Sequence, residues 1–228
     1  MRSHFGNLSY MSCSKKCIKE NHLVKDKFHF NKHKLKLIDS LVIEKELKDN
    51  LFRNVAIDYL LKTKDSTKNN DAFITQFHAL SKNNRHRNEI DALYTGIQNI
   101  QPGKEIPAIK VTNTLGNTVS LQEITKGKKV VFYFWSGTNK NHYKSIFKRV
   151  AQLKKQKKEY LFVGINFKTT TENWKAILNT NTVEETHQYK ADNFEELTKN
   201  LIVYPLNKCI RTEDTKIVDA FSNIYKKF

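Results

Sequence analysis

Three cysteines, at 13, 17 and 209, are the only sulfur nucleophiles in the chain. Cys13 and Cys17 are four residues apart and would share one face of a helix. They could pair, or hold a metal with help from elsewhere, yet no second Cys/His pair stands at zinc spacing. The simpler reading is two thiols in a frayed end. Cys209 lies in an apolar segment, where a cysteine serves as a small buried hydrophobe. His78 and His86 stand singly, without a partner at ligand spacing, and read as structural or solvent-facing histidines. No metal or cofactor pattern emerges, so the chemistry depends on how the chain positions its other polar groups.

Composition bounds the scaffold that positions them. The chain has 228 residues, 39% hydrophobic and 28% charged, with only 7 Gly and 3 Pro. That is enough apolar material for one or two globular domains and argues against wholesale disorder. No apolar run approaches the length of a membrane helix. Three cysteines, an odd number, do not build a disulfide framework. The net charge is +17, which invites a nucleic-acid reading. Its spread argues otherwise: residues 1–100 hold 18 Lys and Arg against 11 Asp and Glu, and residues 101–228 hold 22 against 12. Only six of the forty cations are Arg, the residue suited to bidentate phosphate and base contacts. No specific nucleic-acid partner is expected, only salt-sensitive attraction to anionic surfaces.

Residues 1–30 show no period and read as a disordered segment without the apolar core of an export signal. "LSYMSC", ending at Cys13, weakly resembles a lipoprotein cleavage site but lacks the greasy run before it. As it stands the chain reads as cytoplasmic. Residues 31–101 read as helical. Leu35, Ile38, Leu41, Leu51, Val55 and Tyr59 recur at helical spacing, with a break expected near Leu47. Asp71 is a candidate cap for a helix burying Phe73, Phe77 and Leu80, and "SKNNRHRN" reads as a loop before a third helix with Ile90, Leu93, Tyr94 and Ile97.

After Pro107 the period changes. "AIKVTN" and "NTVSLQ" read as a hairpin, and "KVVFYFW" as a buried central strand. A helix with Tyr143, Ile146, Phe147, Val150 and Leu153 on one face follows. "YLFVGINF" is a second buried strand. Thr169 with Glu172, and Asp192 with Glu195, have capping-box spacing ahead of two further helices. "PLNKCI" and "TKIVDA" read as paired strands around "RTED". The expected class is α/β, a sheet flanked by helices after a small all-α region.

The segment 102–228 resembles a thioredoxin-like domain of the TlpA/ResA (redoxin) family of Bacteroidetes type. The resemblance rests on "PGKEIPAIKVTNTLGNTVSLQEI", "VVFYFWSGTNKNHYKS", "EYLFVGINFKTTTENWKAIL" and "VYPLNKCIRTEDTKIVDA", in that order. It implies thiol–disulfide oxidoreductase activity, a cell-envelope setting for many relatives and a cis peptide at Tyr204-Pro205. It also places the family's two redox cysteines on Asn139 and His142. Dithiol exchange needs a thiolate at a helix N-terminus and a second thiol one turn on, and "WSGTNKNH" has neither. Asn139 and His142, with Ser136 or Thr138, sit where helix N–H groups converge, so they suit either plain capping or an anion. The expected function is therefore binding or scaffolding, with an extended peptide held around Trp135–His142 and Tyr204-Pro205. The rival reading is a redox activity through Cys209 or the terminal cysteines, and a weak basic nucleic-acid binder comes third. In the family a helix follows the last strand. Here "FSNIYKKF" offers about two turns, so a truncated helix and an exposed apolar sheet face, open to a partner or a second copy, are expected.

Overall fold

The computed structural model describes residues 26–62 and 66–226. Cys13, Cys17 and the lipoprotein-like "LSYMSC" lie outside the described residues. The chain divides into two compact units, Met1–Tyr94 and Thr95–Phe228. Among the described residues no helix is long and apolar enough to cross a membrane.

The first unit is helical. Helix α1 spans Lys27–Leu41, α2 Lys45–Lys62, α3 Thr67–Leu80 and α4 Asn84–Asn99, the last running on into the second unit. The expected break near Leu47 falls earlier, at residues 42–44. There the Glu44 carboxylate accepts the N–H groups of Glu46 and Leu47 and so starts α2. Asp71 does not cap α3. Ser66 does, accepting from Asn69 N–H, while Asp71 accepts from the Tyr94 hydroxyl at 2.6 Å. "SKNNRHRN" is mostly the first turn of α4 rather than a loop. Leu35, Phe52, Ala56, Tyr59, Phe73, Phe77 and Ile90 are sealed from solvent, with Tyr59 stacked on Phe73 at 4.0 Å. His78 is structural: its Nε2–H donates to Asp91 at 2.6 Å and its Nδ1 accepts from Arg87 Nε at 2.9 Å.

The second unit is built on seven strands: β1 Lys110–Asn113, β2 Thr118–Ser120, β3 Lys129–Trp135, β4 Leu161–Asn166, β5 Gln188–Lys190, β6 Lys208–Glu213 and β7 Lys216–Asn223. Their order is β2-β1-β5-β4-β3-β6-β7. β3, β4 and β5 are parallel, and the other pairs are antiparallel. The helices are α5 Leu121–Thr125, α6 Lys140–Gln156, α7 Thr171–Thr180 and α8 Phe194–Leu201. A parallel β3–α6–β4 crossover beside an antiparallel β6–β7 hairpin is the thioredoxin-like α/β arrangement that the resemblance implied. The run "VVFYFW" is wholly buried, in a central strand between β4 and β6. Its odd-numbered residues, Val131, Tyr133 and Trp135, pack with Phe162 against α6 and against Trp174, Ile177 and Leu178 of α7. Its even-numbered residues point the other way.

Several local expectations shift by a residue or a strand. The second hairpin strand stops at Ser120, whose hydroxyl forms a capping box with Glu123 and opens α5. The caps of α7 and α8 are Thr170 and Asn193, not Thr169 and Asp192. "FSNIYKKF" does not begin as a helix, because Phe221–Asn223 finish β7. Among the described residues of this region, Val218 and Tyr225 are the large apolar side chains left exposed. The face of the β6–β7 hairpin continuing from Cys209 presents Arg211 paired with Asp219 at 3.7 Å, and Ser222 donating to Asp219 at 2.8 Å.

Candidate functional site

Strand β3 ends at Trp135, and the chain turns through residues 136–139 into α6. The turn is held from within and from the side. Thr138 N–H donates to Ser136 Oγ at 3.3 Å, the two hydroxyls stand 2.9 Å apart, and Gly137 N–H donates to Thr169 Oγ1 at 2.8 Å. Asn139 is the cap of α6: its side-chain oxygen accepts His142 N–H at 3.1 Å. One of the four otherwise unpaired donors of the helix start is thereby satisfied.

His142 lies one turn in. Its Nε2 donates to the Leu206 carbonyl at 3.0 Å, so the ring reaches from α6 to the loop before β6. Its Nδ1 is buried and has no partner. Burial holds its pKa below the usual histidine value, against the opposing pull of the Leu206 carbonyl. The Tyr204–Pro205 peptide immediately before Leu206 is cis. His142 therefore reaches the residue that follows Pro205, and Asn139 caps the helix turn that carries it.

Trp135 is placed differently from expectation. It is sealed in the core, with the rings of Phe147 and Tyr143 at 4.9 and 6.0 Å, and it lines no surface. Cys209 is equally buried, in β6 opposite Tyr133 and Ser222. A thiolate nucleophile must be ionised and reachable, and this sulfur is shielded from solvent.

Phe167, Phe194 and Lys168, to which sequence reasoning gave no role at the site, gather around Tyr204. Tyr204, 41% exposed, meets Phe167 and Phe194 edge-on, each at 6.4 Å between ring centroids. Lys168, in a left-handed conformation (φ 51°), holds Nζ 4.0 Å above the Phe194 ring. Aromatic residues at strand and helix ends were the available signal, but nothing in the linear pattern says that Phe167, Phe194 and Tyr204 converge. The result is an aromatic and cationic strip of Tyr204, Phe194 and Lys168 over the buried Phe167, with Tyr204 two residues before the Leu206 carbonyl that His142 holds. Such a strip can hold an extended segment by ring contact and hydrogen bonding. None of these side chains is a thiol.

A family model described as the AhpC/TSA family matches residues 102–227. No curated protein matches the chain. Among solved structures, it is similar to the thioredoxin domain of a thiol-disulfide oxidoreductase from Bacteroides vulgatus, at 21% identity and a TM-score of 0.46, over 52% of this chain and 86% of that one. It is also similar to a thiol-disulfide oxidoreductase from Bacteroides fragilis, at 20% identity and a TM-score of 0.42, over 51% of this chain and 88% of that one.

Proposed function

The chain belongs to the AhpC/TSA family through residues 102–227, and from that premise we propose that it is a thioredoxin-fold member that binds rather than exchanges thiols. The observation that carries this reading is the pair Asn139 and His142. At the helix start where the redox motif would sit, one side chain is spent on capping and the other on the Leu206 carbonyl. Thiol–disulfide exchange proceeds through attack of a thiolate and a mixed disulfide, and neither group can form one. The rival redox reading through Cys209 is disfavoured by that residue's complete burial.

Binding falls to the strip formed by Tyr204, Phe194, Lys168 and the 204–206 loop, with an unfolded or extended peptide as ligand. The test uses the full chain and a fluorescein-labelled, carboxymethylated insulin B chain. Anisotropy should rise with the wild type and with Cys209→Ser alike. Tyr204→Ala should weaken binding about tenfold, as loss of an aromatic anchor does. Binding that is absent, or equal in the Tyr204→Ala variant, contradicts the proposal.

A further inference from the structure

Lys208 opens β6 and is only 3% exposed, although a lysine in a strand ordinarily keeps its ammonium in water. Its Nζ donates to two backbone carbonyls, those of Leu201 and Ile202, the latter at 2.7 Å. Both belong to the C-terminal end of α8, where Ile202 caps the helix in a left-handed conformation. These are among the carbonyls that a helix end leaves unpaired, and a cation there meets the negative end of the helix dipole. The third direction is closed by the Phe221 ring on β7, with Nζ 4.4 Å from its centroid. An ammonium has three N–H groups, and each finds an acceptor here: two carbonyls and a ring face.

We propose that Lys208 is a proton-operated clasp: as an ammonium it ties the end of α8 to the start of β6 and holds the loop 202–207 between them, and as a neutral amine it lets that loop go. Loss of the proton leaves two N–H groups and a lone pair. The attraction to the ring disappears, and the remaining hydrogen bonds lose their charge assistance. The groups facing the amine are the α8 carbonyls, the Phe221 ring and Asp219 charge of β7, and the adjoining Cys209 thiol of β6. Asp219 and Cys209 favour the ammonium. Burial outweighs them and brings Lys208 down to about 7, so the two states exchange around neutral pH. The held loop carries Tyr204 and the Leu206 carbonyl that His142 grips. Control of peptide binding by the clasp rests on the function proposed above; the clasp itself does not.

The test is NMR of the full chain labelled with 13C and 15N, from pH 6 to 9. The Lys208 Cε signal and the Tyr204 and Leu206 amide signals should titrate with one common midpoint. His142, which burial holds below the usual histidine value, is followed through its own ring signals, so that its titration is told apart from that of Lys208. In Lys208→Arg, which keeps its charge, and in Lys208→Met, which has none, the loop signals should stay flat. Loop signals that ignore the Lys208 titration, or that titrate unchanged in Lys208→Arg, overturn the clasp. Should Lys208→Met fail to fold, the wild type and Lys208→Arg still decide. The labelled B chain, titrated at pH 6.5 and 8.5, separates the two claims. A loop that titrates in a protein that binds no peptide keeps the clasp and removes the binding function.

Discussion

A methyl group at position 164 has no room. A Cβ there would stand 2.2 Å from the Gln188 side-chain oxygen and 2.8 Å from the Tyr133 hydroxyl. Both are locked, because Gln188 donates to that hydroxyl at 2.7 Å in the buried layer under α6 and α7. Gly164→Ala should therefore cost about 2–3 kcal/mol, the upper range for overpacking. Urea unfolding checks this, and an unchanged midpoint would mean the polar pair is free to move. At this scale the sequence was partly legible. Asn139 and His142 stood out because a strand-to-helix junction concentrates unpaired N–H groups. Lys208 did not, since in a linear pattern a lysine in a strand signals solvent. Only the fold brings α8 carbonyls and the Phe221 ring around it. Trp135 misled for the opposite reason: its place in a motif suggested a surface role, whereas it ends a strand whose residues are buried on both faces.

Elements were legible as to kind and less so as to ends. Apolar period and β-branched runs placed β3, β4, α6 and α7, because burial on both faces or on one stripe leaves a strong pattern. Caps were missed by one residue at α7 and α8, where Thr169-Thr170 and Asp192-Asn193 offer two candidates side by side. The residue that wins is the one whose oxygen reaches the N–H three residues on, and type alone does not decide that. The same logic gives a prediction for α6. Asn139→Ala removes the acceptor for His142 N–H and should destabilise the protein by about 1 kcal/mol, whereas Asn139→Asp should keep or improve stability. Thermal unfolding of the two variants distinguishes this from a position with no capping role, at which both would match the wild type.

Across the molecule, the change of period after Pro107 separated a helical part from an α/β part, and the order of motifs from 102 onward identified the family. The compact units meet at Tyr94 and Thr95, inside α4, which no composition shift marks. The C-terminal hairpin was read as a strand pair with a bare face. Arg211, Asp219 and Ser222 supply that face with polar groups of their own, and their pairing depends on a bulge that shifts the β6–β7 register, which sequence spacing does not reveal. The proposed function predicts that a redoxin architecture whose helix start holds an amide and an imidazole passes no electrons. Reduction of insulin by dithiothreitol, followed by turbidity, tests it most directly. The full chain should leave the onset of precipitation where dithiothreitol alone puts it, and Cys209→Ser should behave identically. A clear acceleration by the wild-type chain would contradict the account, and its loss in Cys209→Ser would name the sulfur responsible.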